Sequence, residues 1–248
     1  MVHVGIDIGS TASKVAVMDQ DKKEILHTKL LPSGWNSRET GEEILRWLKS
    51  LDLGEMDIVA TGYGRVSVPY ADKTITEITC HAKGAMYLHP GDMTVIDIGG
   101  QDTKVIVVEN GMVSDFLMND KCSAGTGKFL EVMANRLGLT LSEMYEYAER
   151  GEPVPISSLC TVFAESEIIS LMGKGTPRED ICSGVVASIV TKVASLSSKR
   201  LKAGDVFLTG GFCDSPYMVE KLSEELKTEV KTDPRARFAG AIGAALLA

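Results

Sequence analysis

A short segment around Cys122 combines residue types that favour binding of an anionic group. Residues 119–130 follow a strand-like run at 112–118 and lead into apolar residues at helical spacing. Gly125 and Gly127 lack a Cβ, so a ligand can approach the backbone there. A helix start also offers N–H groups and a partial positive charge. The segment therefore suits either a phosphate or an anionic metal–thiolate cluster.

The remaining cysteines are predicted to have no such role. The chain has five cysteines and no C-x-x-C pair, so ordinary zinc-ribbon spacing is absent from the sequence. Cys80, Cys182 and Cys213 are predicted to be buried as small apolar side chains. Cys122 and Cys160 both precede helical patterns, where the helix dipole favours an anionic cluster. In a reducing compartment, structural disulfides between any of these residues would be rare.

An internal repeat determines the predicted architecture. Residues 94–108 echo residues 4–17, with Asp97 in the place of Asp7 at an offset of 90 positions. In both copies an apolar strand leads to a glycine-containing turn, a second strand, a third strand and a helix. A strand–turn–strand–strand–helix unit therefore occurs twice, and it predicts two similar halves.

The turns of this repeat have the composition of phosphate-binding loops. Either turn alone would be interpreted as a plain hairpin, but two copies can close on a shared cleft. Their backbone N–H groups would then bind successive phosphates, as concave runs of N–H groups do for anions. The predicted contacts are Gly9, Ser10, Thr11 and Lys14 in the first copy and Gly99, Gly100, Gln101 and Asp102 in the second. Asp7 and Asp97 would face Mg²⁺, which prefers carboxylate, phosphate and water oxygens.

A third glycine turn, Gly210-Gly211-Phe212, would let the backbone approach an adenosine. The sequence has no G-x-x-x-x-G-K-[ST], so the site is not of the Walker type. Of the two lysines related by the repeat, we expect Lys14 to contact phosphate and Lys104 to be an outward-facing strand residue.

The apolar pattern predicts an α/β protein whose helices lie between and after the repeated strands. Helices are predicted at 38–51, 77–88, 142–150, 160–172, 178–202, 216–227 and 236–248, with another that starts at Phe129. Thr40 is the predicted N-cap of the first helix. The last helix is rich in alanine and apolar on most faces, so we expect it to be packed into the core.

Composition excludes some classes of function. The 248 residues have a formal net charge of −8, which argues against a non-specific nucleic-acid binder. The first residues do not resemble a signal peptide, and no uninterrupted apolar run reaches the ~20 residues of a membrane-spanning helix. We therefore expect a cytoplasmic protein that binds neither nucleic acid nor a membrane.

Together, the three turns resemble the phosphate and adenosine motifs of the actin, sugar-kinase and heat-shock ATPase superfamily. This resemblance covers almost the whole chain. It implies two ribonuclease-H-like domains, each a mixed sheet flanked by helices, around a nucleotide cleft. The first domain would consist of residues 1–92 with the last helix, 236–248, and the second of residues 93–235, which include the two candidate cysteine ligands.

A narrower resemblance rests on three motifs, at 97–102, 119–127 and 160–167. In this order they are similar to the activator proteins of 2-hydroxyacyl-CoA dehydratases and the related ATPase subunits of benzoyl-CoA reductase. The resemblance implies an ATP-driven electron donor, and a homodimer with one four-iron four-sulfur cluster bound by Cys122 and Cys160 of each subunit. Two cysteines per chain cannot fill a four-cysteine site, whereas two chains can. The electron donor would be a ferredoxin or flavodoxin, and the acceptor an iron–sulfur dehydratase or reductase.

For the hydrolysis step, the resemblance and the residue types imply that Asp7 and Asp97 hold Mg²⁺ and water. Gln101 would orient the attacking water, as glutamine does in other nucleotide hydrolases. A plain turn residue bonded to its own backbone is an equally compatible role for Gln101. The segment Gly125-Thr126-Gly127 would touch the phosphate side of the cleft while Cys122 holds iron.

Two other classes of protein stay open. A small-molecule kinase of the same superfamily would need a substrate-binding insertion and a catalytic base, for which the length leaves little room. A regulatory ATPase without redox chemistry would have all five cysteines buried.

Overall fold

The protein contains two mixed five-stranded sheets flanked by helices, which are the two halves that the repeat predicts. The computed structural model describes residues 1–157, 160–201 and 204–248. Elements of the first half are β1 (Val2–Ile8), β2 (Ala12–Met18), β3 (Ile25–Pro32), α1 (Ser37–Ser50), β4 (Met56–Thr61), β5 (Lys73–Thr74) and α2 (Glu77–Leu88). Those of the second half are β6 (Met93–Ile98), β7 (Thr103–Glu109), β8 (Met112–Asn119), α3 (Gly127–Leu137), α4 (Leu141–Ala148), α5 (Thr161–Gly173), α6 (Arg178–Ser197), β9 (Asp205–Gly210), α7 (Pro216–Leu226), β10 (Val230–Lys231) and α8 (Ala239–Leu246).

The two sheets have equivalent strand orders. The first runs β3-β2-β1-β4-β5 and the second β8-β7-β6-β9-β10. In each, the first two strands in sequence are antiparallel, and their register places Asp7 opposite Lys14 and Asp97 opposite Lys104. β4 runs parallel to β1, and β9 runs parallel to β6. The polar residues at the ends of β1 and β6 therefore have the same position in both sheets.

The N-cap prediction for α1 is wrong. Asn36, in an extended conformation before the helix, caps it, and its side-chain oxygen accepts a hydrogen bond from the Arg38 N–H at 3.0 Å. Thr40 lies inside the first turns, where its hydroxyl donates to the Ser33 carbonyl oxygen at 2.8 Å. A carboxamide three residues before the acidic Glu39 satisfies the first N–H groups better than a threonine within the helix.

Helix α6 is the central helix of the second half. It is observed from Arg178 to Ser197, and the predicted end at Lys202 lies outside the described residues. By length and composition α6 is able to cross a membrane, yet most of it is buried inside the protein. Its apolar side chains, among them Val185 and Ile189, belong to the hydrophobic core of the second sheet. It is thus packed as the core helix of a globular fold.

The alanine-rich last helix is buried, as predicted, and every residue from Ala239 to Ala245 is inaccessible or nearly so. It packs against β1 and α2 where glycines allow the backbones to touch. Gly5 faces Ala241, Gly84 faces the carbonyl of Ala239, and Gly243 faces the carbonyl of Cys80. The backbones are so close at these three glycines that a Cβ would not fit, so α2, α8 and the first sheet pack as one tight layer.

We expect Gly84→Ala to lower the free energy of unfolding by about 1–3 kcal/mol, because the added Cβ overlaps the Ala239 carbonyl and lies 3.0 Å from the Ala239 Cα. Helix propensity alone predicts the opposite sign, a gain of up to about 1 kcal/mol. Gly173→Ala in α5 is the matched control, since its Cβ meets open space among the described residues. Urea unfolding measures both variants; equal stability of Gly84→Ala and the wild type would contradict the close packing.

Candidate functional site

The two predicted phosphate turns lie against each other. The turn after β1 contains Ser10 and Thr11, and the turn after β6 contains Gly100. A Cβ added at Gly100 would lie 2.7 Å from the Cβ of Thr11 and 3.6 Å from the Ser10 hydroxyl oxygen. The two copies of the repeat, 90 positions apart in sequence, thus meet at their glycine turns. This is the arrangement that a shared phosphate site requires.

The second turn is also bonded to the start of α3. The Gly99 N–H donates to the Asp102 carbonyl oxygen at 2.9 Å, and this hydrogen bond closes the turn. The carbonyl oxygens of Gly99 and Gly100 accept hydrogen bonds from the N–H groups of Gly127 (2.9 Å) and Lys128 (2.8 Å). Two of the N–H groups at this helix start are therefore used inside the protein, and the helix binds the turn directly.

The two aspartates of the repeat have different surroundings, although each is only 2% exposed. Asp97 accepts a hydrogen bond from the Thr209 hydroxyl at 2.9 Å on one oxygen, and Lys104 lies 3.2 Å from the other. The Asp7 Oδ1 has no hydrogen-bond partner among the described residues, and Lys14 lies 3.9 Å from its Oδ2. Asp7 therefore offers a buried oxygen that is open to a cation or water.

The pKa values of the two carboxyl groups are displaced in opposite directions. Burial raises the pKa of Asp7, and the charges of Lys14 and His81 only partly offset it. Burial acts in the same way on Asp97, but there His81, Lys104 and the Thr209 hydrogen bond together prevail and hold the pKa well below its usual range. Asp97 is thus a stably ionised partner of internal cations, whereas ionised Asp7 costs folding free energy.

Lys104 is buried, so the prediction of an outward-facing strand residue is wrong. Its side chain is 1% exposed and its ammonium group lies 2.9 Å from Glu77, 3.2 Å from Asp97 and 2.8 Å from Asp102. Those carboxylates raise the pKa of Lys104 far above its usual value, against the effect of burial. Lys14, by contrast, keeps 18% of its side chain exposed. Packing against α2 makes the difference, because α2 brings Glu77 to Lys104.

Sequence reasoning missed Glu77 and His81 on α2. Their spacing of four residues puts both on one helical face, and that spacing is the signal that would have found them. Donor atoms of Glu77, His81 and Asp97 all lie within 4.8 Å of one another, a geometry that suits a metal ion. The Lys104 ammonium, however, already contacts both carboxylates of this cluster, those of Glu77 and Asp97. We therefore interpret the cluster as an internal ion-pair network.

The third glycine turn follows β9 next to Asp97. Gly210 has a φ of +83°, and a Cβ there would lie 3.0 Å from the Asp97 Oδ1. Gly211 is exposed, and the Arg237 guanidinium is 4.0 Å from its Cβ position. The Phe212 side chain is buried in the hydrophobic core, so this residue can face a ligand only with its backbone. The turn thus joins the other two at one site.

Gln101 lies at the tip of the second turn and is exposed. Its side chain is therefore directed away from the core, as either of its two predicted roles requires.

Cys122 and Cys160 are both exposed, and a hydrogen bond joins the segments that carry them. The hydroxyl groups of Ser123 and Thr161, the residues that follow the two cysteines, are 2.7 Å apart. Cys160 is the N-cap residue of α5. The structure therefore places the two candidate ligand residues on neighbouring segments of the second half.

The loop that carries Cys122 is fastened at both ends. The Asn119 side chain donates to the carbonyl oxygens of Cys122 and Ala124, each at 2.9 Å. The Thr126 hydroxyl donates to the Ser123 carbonyl at 2.8 Å, and the Thr103 hydroxyl donates to the Gly125 carbonyl at 2.5 Å. Thr103 begins β7 directly after the second phosphate turn, so the cysteine loop and that turn are held together by hydrogen bonds.

The other cysteines are buried, as predicted. Burial raises the thiol pKa of Cys80 to about 12, of Cys182 to about 11 and of Cys213 to about 12. These thiols are poor ligands and nucleophiles at neutral pH, since the thiolate is the reactive form.

Two similar mixed sheets whose glycine turns meet define the two-domain fold that the sugar kinases have. A ROK family glucokinase from Streptomyces griseus, solved with glucose and AMPPNP, has this fold with a TM-score of 0.65 at 15% identity, covering 100% of this chain and 99% of that one. At this identity the likeness shows the fold alone. It confirms the predicted fold class of two ribonuclease-H-like domains.

The chain belongs to the BadF/BadG/BcrA/BcrD ATPase family, whose model matches residues 4–248. It is 46% identical to the (R)-2-hydroxyglutaryl-CoA dehydratase activating ATPase of Acidaminococcus fermentans, over 99% of this chain and 96% of that protein. It is 43% identical to the activator of lactoyl-CoA dehydratase of Anaerotignum propionicum, over 100% of this chain and 97% of that protein. The structure of the activator of 2-hydroxyisocaproyl-CoA dehydratase from Clostridium difficile with bound ADPNP has a TM-score of 0.92 at 38% identity, covering 100% and 94% of the two chains. The predicted family is confirmed.

The two aspartates are expected to respond oppositely to removal of their charge. Asp7→Asn should raise the free energy of unfolding at pH 7 by about 1–3 kcal/mol, because it removes an unsatisfied buried charge. Asp97→Asn should lower it by a similar amount, since Lys104 and His81 lose a partner. Unfolding is measured in urea with a chelator present.

The pH dependence follows from the sign of each pKa displacement. Because the folded-state pKa of Asp7 is raised, ionisation of this group lowers the free energy of unfolding of the wild type at neutral pH. The greater stability of Asp7→Asn should therefore vanish below the unfolded-state pKa of about 4. Because that of Asp97 is lowered, its contribution is complete above the same pH and is lost in more acidic solution. An Asp7→Asn variant less stable than the wild type at pH 7 would contradict the assignment.

Proposed function

We propose that this protein is an ATP-hydrolysing iron–sulfur activator that delivers low-potential electrons to a 2-hydroxyacyl-CoA dehydratase, a benzoyl-CoA reductase or a related iron–sulfur enzyme. The observation that carries the proposal is the direct bonding of the second phosphate turn to the start of α3, next to the loop of an exposed cysteine. The relatives named above are activators of such dehydratases. The same hydrogen bonds would thus connect a turn that binds nucleotide to the loop whose cysteine binds a metal cluster.

The residues present fit a four-iron four-sulfur cluster shared by two subunits. Cys122 and Cys160 are exposed on adjacent segments, and Cys160 is the N-cap residue of α5, where the helix dipole favours an anionic ligand. Each chain supplies two thiolates and a second copy would supply the other two, so we propose a homodimer. When bound, the cluster supplies single-electron transfer.

The residues of the cleft fit ATP or ADP with Mg²⁺. The turns face each other, so the backbone N–H groups of Gly9, Ser10 and Thr11 on one side and of Gly100 and Gln101 on the other would bind the phosphates. The Asp7 Oδ1, which has no hydrogen-bond partner among the described residues, is a buried carboxylate oxygen that suits Mg²⁺ or a water bound to it. We propose that Asp7 and Asp97 hold Mg²⁺ and water, and that Lys14 contacts phosphate. Gly210, Gly211 and the Phe212 backbone would face the adenosine.

For hydrolysis, we propose that Gln101 orients the attacking water, a role with which its exposed side chain is compatible. The neighbouring Asp102 has a different task, since its carboxylate is bonded to Lys104 at 2.8 Å.

Coupling of hydrolysis to electron transfer would use the hydrogen bonds between the two sites. A displacement of Gly99 and Gly100 pulls on the N–H groups of Gly127 and Lys128, and thereby on α3 and the loop of Cys122. A change in potential of a few hundred millivolts in a one-electron couple corresponds to several kcal/mol, at roughly 1.4 kcal/mol per 59 mV. Such a change is within what nucleotide hydrolysis supplies.

We further propose the two domains as residues 1–92 with 236–248 and residues 93–235, because α8 packs on β1 and α2. A ferredoxin or flavodoxin would reduce the cluster, and the protein would act in the cytoplasm without nucleic acid or membrane.

Removal of a ligand cysteine should abolish iron binding. Anaerobically purified wild type is expected to be brown, with about four iron atoms and four sulfides per dimer. Cys122→Ala and Cys160→Ala should each reduce the iron content to background. Cys182→Ala, at a buried cysteine in α6, is the matched control and should retain the full content. Unchanged iron in Cys122→Ala would remove the ligand assignment, and a colourless monomeric wild type would favour a regulatory ATPase.

A further inference from the structure

The Lys104 ammonium is the centre of a buried ionic network between the two halves of the protein. It lies 2.9 Å from Glu77 on α2, 3.2 Å from Asp97 at the end of β6, and 2.8 Å from Asp102 in the second turn. His81, one turn along α2 from Glu77, adds a contact of 3.4 Å to Asp97. One strand residue thus links a helix, a strand end and a phosphate turn.

The equivalent lysine of the first repeat has no comparable set of partners among the described residues. Lys14 and Lys104 occupy the same register position opposite their aspartates. Lys14 remains partly exposed, at 3.9 Å from Asp7. The network is therefore not a general property of this hairpin: it arises because the N-terminal turn of α2 meets the second hairpin. A role that both repeats share, such as phosphate contact, does not explain it.

Glu77 belongs to the rigid layer of the first half. It is in the first turn of α2, and α2 touches α8 at Gly84 and Gly243, where the backbones leave no space for a Cβ. Helix α8 in turn touches β1 at Gly5. Lys104 belongs to β7 of the second sheet, and Asp102 to the turn that precedes β7. The pair of Glu77 and Lys104 therefore sets the position of the second phosphate turn relative to the layer that holds Asp7.

The geometry points to Glu77 as a positioning residue for nucleotide hydrolysis, which acts through Lys104 on Asp97 and on the second phosphate turn. This inference rests on the proposed ATPase function and extends it to a residue outside the three turns. Glu77 is linked to the second turn through the Lys104 ammonium, so we assign it a positioning role and no contact with phosphate. Its loss leaves Lys104 bonded to Asp97 and Asp102 but removes the ionic link between α2 and the second turn.

The test compares steady-state ATP hydrolysis by the cluster-loaded dimer of the wild type and of Glu77→Gln. Because the turn N–H groups remain, the KM for ATP should stay within about threefold, while kcat should fall by about tenfold or more. Glu77→Asp, which keeps the charge on a shorter side chain, should recover part of the loss in kcat. The matched control is Glu224→Gln, which breaks a surface pair with Lys221 at 2.8 Å and should leave both constants unchanged.

The outcomes separate this inference from the proposed function. A wild type that hydrolyses no ATP overturns both. An active wild type with an unchanged kcat in Glu77→Gln, or with only a raised KM, overturns the positioning role and leaves the ATPase intact. If Glu77→Gln does not fold, Glu77→Asp decides: a lowered kcat at constant KM supports the role, and a kcat equal to the wild type overturns it.

Discussion

The hydrogen bonds from the start of α3 to the Gly99 and Gly100 carbonyls are the contact on which the rest of the site depends. A glycine turn can approach a helix end this closely because it has no Cβ to exclude it. The same turn faces Ser10 and Thr11 of the first repeat on its other side. The Gly99–Gly100 backbone therefore lies between the predicted nucleotide site and the Cys122 loop. A ligand that displaces this backbone would also displace the start of α3.

Symmetry of the fold does not extend to its chemistry. The two sheets have equivalent strand order and equivalent register at Asp7 and Asp97. Nevertheless one aspartate is satisfied by internal partners and the other has an oxygen with no partner among the described residues. Burial of a charge is tolerated when a cation and a hydroxyl group compensate for lost hydration. A buried oxygen without such compensation is retained at a cost in stability, as binding and catalytic groups often are.

The cysteines divide in a similar way between structure and chemistry. Three are buried where their thiols stay protonated at neutral pH, and two are exposed on loops that Ser123 and Thr161 join. The exposed pair lies before α3 and α5, in the half that carries the second predicted phosphate turn. An interface between two copies at this face would complete a four-thiolate site without further change of the chain.

Much of this protein could be predicted from the sequence. The repeat at Asp7 and Asp97 predicted two similar sheets, and the three motifs predicted the family; the structure and the relatives confirm both. The glycine turns predict where a ligand approaches the backbone. These features are local patterns of residue type and spacing, so they are visible without coordinates.

Only the tertiary structure decided which residues of distant elements contact each other. It places Glu77 of α2 beside Lys104 and His81 beside Asp97. It also buries Lys104, which the sequence pattern predicts to face outward, and it shows that Asn36 and not Thr40 caps α1. It also put the Phe212 ring in the core and joined the two cysteine loops. Such contacts depend on how distant elements pack, because the free energy of a charge or a hydroxyl group is set by its three-dimensional neighbours and not by its position in the chain.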